Sequence, residues 1–176
     1  MAPLPLDAPT VIVRDEHPQD LGGVREVLKL AFGRATEADL VDALRAAGKV
    51  LLSLVAESEG QVVGHILFTA VTIAGDDTLL ASGLAPLAVV PRMHGVGVGS
   101  ALVRQGVARC RRAGHAFVVV LGDPRYYSRF GFVPAEEHQM HCEFDAPAGT
   151  FQVIELRRGA LTPGPALVRY EPEFAP

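Results

Sequence analysis

Apolar positions recur along this 176-residue chain with two different periods, and the switches between them mark its elements. Residues 10–14 read as a first strand. Leu21, Val24, Leu28 and Phe32 then recur at three- and four-residue spacing, which is one helix face, with Pro18 near its start and Gly33 as its stop. A second helix runs through Leu40, Val41, Leu44 and Ala47 to Gly48, and Thr36 with Asp39 three residues on resembles its capping box. Residues 50–57 and 61–73 predict a hairpin around Ser58-Glu59-Gly60. Gly64 interrupts its second arm, which signals a bulge or a close backbone approach. A turn at Gly75-Asp76-Asp77 leads through Leu79 and Leu80 into a central strand over 84–90. Pro86 lies inside that strand and has no N–H for the ladder, so it marks an edge or a bulge. Val103, Val107 and Cys110 fall on one face of a third helix, Arg104, Gln105, Arg109, Arg111 and Arg112 on the other, and Gly114 ends it. Residues 117–121 are apolar on both alternating faces, as in a strand covered on both sides. Residues 151–156 and 166–170 supply closing strands, separated by a rigid Thr162-Pro163-Gly164-Pro165 turn.

The chemistry concentrates where the central strand meets the third helix. His94-Gly95-Val96-Gly97-Val98-Gly99-Ser100 places three alternating glycines at the helix entry, so the backbone can approach a ligand closely. The first turn of a helix leaves N–H groups without partners, and the positive end of its dipole sits there too. Together they suit phosphate or pyrophosphate. Sixteen basic against twenty acidic residues give a net charge of −4, which argues against a dedicated nucleic-acid binder. Cys110 and Cys142 form no disulfide framework. Residues 1–9 are proline-punctuated and lack the charged and apolar regions of a signal peptide, and no apolar run reaches the ~18 residues of a membrane span. The expectation is one cytoplasmic domain over 10–170, with a flexible lead-in at 1–9 and a frayed end at 171–176.

The stretch 83–132 resembles the GNAT superfamily of acyl-CoA N-acyltransferases, whose phosphate loop reads Q/R-x-x-G-x-G/A. Here it is His94-x-x-Gly97-x-Gly99, with His where Gln or Arg is usual. The run from Gly122 to Phe132 is similar to the G-D-P-x-Y-Y-x-R-F-G-F of a bacterial subgroup of predicted acetyltransferases. The resemblance implies an α/β fold: a central mixed, mostly antiparallel sheet flanked by helices, with a V-shaped splay between its central strands. It implies acetyl-CoA as cosubstrate, its pyrophosphate on the amides of Gly95, Val96, Gly97, Val98, Gly99 and Ser100 beside His94. The pantetheine would lie along Leu87, Ala88 and Val89 like an added strand. The acceptor would be a primary amine, on a small molecule or a peptide, and dimers are common in the family.

Transfer by direct attack needs a donor for the thioester oxygen, an acid for the leaving sulfur and a base for the amine. A bulge at Pro86 would free a strand N–H, for which Ala88 is the expectation. Tyr127, four residues before Gly131, occupies the family's usual acid position, with Tyr126 as its replacement if the helix is rotated. The base is open among His65, Glu57, Asp123 and water. Two other readings compete. Gly95-x-Gly97-x-x-Ser100 approaches a dinucleotide or S-adenosylmethionine fingerprint but lacks the third glycine. The same fold could also sense acyl-CoA without turnover. The His-x-x-His-Cys of 138–142 invites a metal reading, yet no second half-site accompanies it, and no metal is expected.

Overall fold

The structure, a computed structural model, describes residues 10–161 and 164–175. The chain runs β1 (Val11–Asp15), α1 (Leu21–Phe32), α2 (Thr36–Ala46), β2 (Val50–Ser58), β3 (Gln61–Ile73), β4 (Asp76–Val89), α3 (Val98–Arg112) and β5 (Phe117–Leu121). It continues through α4 (Pro124–Tyr127), β6 (Val133–Pro134), β7 (Met140–Cys142), β8 (Phe151–Glu155) and β9 (Ala166–Arg169). The strands form one mixed sheet in the order β1-β2-β3-β4-β5-β8-β6, and β9 bridges β3 and β7. Among the described strands, only β4–β5 and β7–β9 pair in parallel. This is the mixed α/β architecture the sequence predicts.

Strand alternation decides what each face meets. Ala56, Gly64, Ile66 and Phe68 face α3, whose Leu102, Val103, Val107 and Cys110 are buried against them. The helix comes very close because two glycines face it or belong to it. A Cβ at Gly64 would fall 2.9 Å from Leu102, and one at Gly106 would fall 2.5 Å from the Phe68 ring. Gly64 is thus a close approach, with a register shift beside it between Ala56 and Glu57. Fully burying a side chain such as Phe68 contributes roughly 1.5–3 kcal/mol, and Phe68 is buried completely. Ser53 and His65 point the other way, towards α2.

Local chemistry modifies several expectations. Thr36 is the first residue of α2 rather than its cap; Ala35 takes that position, and no side chain caps the helix. The capping box lies earlier instead, where the His17 N–H donates to Asp20 at 2.7 Å just before α1. The α1 stop is as expected: Gly33 adopts φ 69° and its N–H donates to Lys29 O at 2.8 Å. Leu21 and Phe32 lie on the predicted α1 face but stay partly open, and Val27 joins Val24 and Leu28 in the core. The acidic face of α1 and α2 is paired, with Arg25 bridging to Asp39 and Asp42 at 2.6 Å each. Such exposed pairs contribute little. Of the end expected to fray, residues 171–175 are described and Pro176 is not. Pro172–Phe174 form a 3-10 turn, Phe174 packs beside Tyr170, and Glu171 pairs with Lys49 at 3.1 Å. The lead-in at 1–9 and the turn residues Thr162 and Pro163 lie outside the described residues.

Two features of β4 position the site. Its register with β3 shifts between Leu84 and Leu87, so Ala85 and Pro86 together face Leu67. That is the bulge Pro86 announces. Its pairing with β5 covers only Ser82, Gly83 and Leu84, after which the two strands part and leave an open edge beside residues 85–89.

Candidate active site

A cavity of about 520 Å³ opens where β4 leaves β5 and enters α3. Leu87 and Val89 form one wall, and His94, Gly95, Gly97, Val98, Gly99 and Ser100 form the end. The loop takes its shape from glycines that tolerate left-handed backbone: φ is 77° at Gly95 and 92° at Gly97, which caps α3. Because α3 begins at Val98 and its first helical bond joins Ala101 N–H to Gly97 O, the N–H groups of Val98, Gly99 and Ser100 have no helical acceptor. These free donors, with the helix dipole behind them, suit an anion.

Two of the residues expected at the coenzyme, Val96 and Ala88, do not line the cavity with their side chains. Val96 is 57 % exposed on the outside of the loop. Ala88 points to the opposite face, opposite His65, and is buried. The amide expected to be free, that of Ala88, is also engaged. Val90 N–H donates to Val63 O at 2.9 Å, so by two-residue alternation the Ala88–His65 pair is hydrogen-bonded as well. Leu87 and Val89 therefore turn their peptide groups towards the open edge. The Val89 carbonyl confirms the direction by accepting from the His94 Nε2, 2.8 Å away. The free donor next to the bulge is the Leu87 N–H.

The tyrosines divide in the same way. α4 is a single turn started by Asp123, whose carboxylate accepts from Arg125 N–H at 2.9 Å, and consecutive residues on it project about 100° apart. Tyr126 faces the cavity, its hydroxyl where a Cβ on Gly99 would come within 2.5 Å. Tyr127, the expected acid, does not line the cavity. It is 8 % exposed, rests on Gly122 and meets Tyr126 and Phe132 edge-on. Burial pushes both hydroxyls above the ordinary phenol range, Tyr127 the further. Arg129 and Met93, which the sequence reading left out, complete the wall. The spacing of Arg129, three residues after Tyr126, was the available signal.

The candidate bases prove to have other partners. Glu57 accepts two bonds from Arg14, at 2.9 and 2.7 Å, and Arg14 also grips Asp20. The bonds from Arg14 hold Asp20 down to about 2. Asp123 is the α4 cap. His65 is completely buried, with Nε2 2.9 Å from Ser53 Oγ and 3.2 Å from Glu16. Glu16 in turn takes the Ser53 hydroxyl in a short hydrogen bond, and both its oxygens accept from one Arg45 nitrogen, Nη2, at 2.7 and 2.8 Å, while Nη1 turns to Asp42 at 3.0 Å. Burial works against its charge, but His65, Ser53 and Arg45 outweigh burial and hold the carboxyl at about 2. Burial keeps His65 below the ordinary imidazole range despite Glu16, and its Nδ1 has no partner among the described residues. Glu16 carried no sequence signal, since it sits between a strand and a turn with no periodicity to flag it. Neither do His138, His141 and Cys142 form a centre: among the described residues no three His, Cys, Asp or Glu side chains converge on a metal position.

Comparison with known proteins bears on the whole arrangement. The profile of the Acetyltransferase (GNAT) domain matches residues 13–135. The uncharacterized N-acetyltransferase YhbS of Escherichia coli is 40 % identical over 165 residues, covering 93 % of this chain and 98 % of its own. The crystal structure of that protein in complex with CoA superposes with a TM-score of 0.90 at 39 % identity, covering 95 % of this chain and 93 % of the other. A GNAT family acetyltransferase from Brucella melitensis, in complex with acetyl-CoA, gives 0.78 at 36 % identity over 96 % of this chain and 100 % of its own.

Proposed function

The chain belongs to the GNAT acetyltransferase family, and from that premise we propose that it transfers an acetyl group from acetyl-CoA to a primary amine by direct attack. The observation that supports this most is the junction of an open β4 edge with an anion-binding helix entry in one cavity. A coenzyme diphosphate fits the amides of residues 95–100. The pantetheine arm then pairs with the peptide groups of Leu87 and Val89, as an added strand would, which brings the thioester to the bulge. There the Leu87 N–H faces the carbonyl oxygen as it gains charge on attack. The amine nitrogen bonds to the carbonyl carbon, the C–S bond breaks, and the sulfur leaves with the electron pair.

The Tyr126 hydroxyl lies at Gly99, the phosphate end of the cavity, far along the pantetheine from the sulfur. Tyr127 does not line the cavity wall, but it packs on Gly122 at the end of β5, where the strands have parted, and we propose it as the donor to the thiolate departing there. Burial favours its neutral form, so it acts by hydrogen bonding at neutral pH. Tyr127→Phe should lower turnover roughly 10²- to 10⁴-fold at little change in acetyl-CoA affinity. If Tyr126→Phe does so and Tyr127→Phe does not, the two roles are exchanged.

A second reading, an acyl-CoA sensor without turnover, is favoured by one observation: no carboxylate lines the cavity among the described residues. Water is then left to carry the proton from the amine. Release of free thiol from acetyl-CoA over a panel of amines separates the two readings, since a sensor binds the coenzyme and releases none.

A further inference from the structure

Arg129 is the one arginine or lysine on the cavity wall among the described residues. Its guanidinium stacks over Tyr126, 4.4 Å from the ring centroid, and lies 5.2 Å from the ring of Phe130. Its Nε donates to Tyr126 O at 3.0 Å. No carboxylate pairs with it among the described residues, and among the described arginines without one it alone lines this cavity. The stack and the Nε bond hold the group in place, and its two terminal nitrogens remain available to a ligand. At the other end of the same ring, the Tyr126 hydroxyl lies against Gly99 of the phosphate loop. The loop itself brings no permanent charge. His94 occupies its leading position, and that imidazole is turned onto the Val89 carbonyl.

We infer that Arg129 closes over the phosphate loop and grips the coenzyme diphosphate between its guanidinium and the amides of 95–100, so that it sets the preference for phosphorylated acyl carriers over bare pantetheine thioesters. The inference rests on the proposed use of acetyl-CoA. Its physical ground is the match of a planar, two-pronged donor to phosphate oxygens. Pre-ordering by Tyr126 reduces the side-chain entropy lost when the ligand arrives. In a chain of net charge −4, a local cation also offsets repulsion of an anionic coenzyme.

The test is titration calorimetry of the wild-type chain, Arg129→Gln and Arg129→Lys with CoA, dephospho-CoA and pantetheine, alongside acetyl-CoA kinetics. The expected result is a loss of roughly ten- to hundredfold in Arg129→Gln affinity for both CoA and dephospho-CoA, as for a hydrogen bond to a charged group. The KM for acetyl-CoA should rise much more than kcat falls. Pantetheine should bind both forms alike, and Arg129→Lys should recover part of the loss, because it keeps the charge but not the fork. An equal loss for pantetheine would show that Arg129 merely props Tyr126, and would overturn the inference. So would a defect that vanishes with dephospho-CoA, which would assign the residue to the 3′-phosphate. Unchanged CoA affinity in Arg129→Gln would overturn it as well, while leaving the acetyltransferase reading intact. Failure of the wild-type chain to bind CoA would remove that reading first.

Discussion

The phosphate loop and the Glu16–His65 network lie on opposite faces of the same sheet, and they are built by opposite means. The loop works through the backbone: glycines set its φ angles, a helix start leaves its N–H groups free, and its side chains matter mainly by being small. The network works through side chains delivered by the chain after β1, by α2, by β2 and by β3, and its backbone is ordinary. One region is open to a ligand, and the other is sealed. The first can therefore be spoiled for binding without harm to the fold, and the second can be spoiled for folding without direct contact with the coenzyme.

The sharpest way to break that comparison is Gly99→Val. Its Cβ would come within 2.5 Å of the Tyr126 hydroxyl and fill the phosphate end of the cavity. CoA affinity should fall by more than about a hundredfold by calorimetry, a loss above ~2.7 kcal/mol, with the melting temperature nearly unchanged. Substantial unfolding of this variant would mean that the loop is structural. Next in size is Glu16→Ala, which leaves buried His65 without its carboxylate and Arg45 with Asp42 alone. Removing one partner of a buried pair costs about 3–5 kcal/mol. Glu16 is 9 % exposed, so the lower end is expected, read by denaturant melts. Residual folded protein should still bind CoA. Loss of CoA affinity in protein that remains folded would place the network in the active site.

The smallest effect is a pH slope. His65 and His115 are both buried, and burial holds both below the ordinary value of 6.5. Below that value the unfolded chain takes up protons that the folded chain refuses, so stability falls as pH drops from about 6.5 towards the depressed folded values. Each histidine contributes at most about 1.4 kcal/mol per pH unit. Glu16 and Asp20, held at about 2, add a separate loss as pH falls from roughly the carboxylate range towards 2. Denaturant midpoints at pH 7, 6 and 5 check the first window. A flat response would show that the histidines are not buried neutral in solution.

The loop, both helix faces around it and the hairpin were legible because each depends on near neighbours in the chain. Gly95 and Gly97 need left-handed φ for local reasons, and Pro86 disrupts its own ladder whatever packs outside it. The Tyr126–Tyr127 division was not legible. A one-turn helix has no periodicity to show which ring turns inward, and the answer comes from Phe132 and Gly122 on one side and Gly99 on the other. The free amide was misplaced for a related reason. Pro86 locates the bulge, but only the register with β3 tells which residues beyond it spend their N–H groups on the ladder.

The sequence alone therefore determined the order of elements, the anion-binding turn and the GNAT resemblance, since glycine placement and hydrophobic period act over a few residues. Tertiary structure decided which of two adjacent tyrosines meets the cavity, which β4 amide is free and that Glu16, rather than solvent, holds His65. Those outcomes depend on which distant segments come within about 3 Å of each other, and no local pattern encodes that distance.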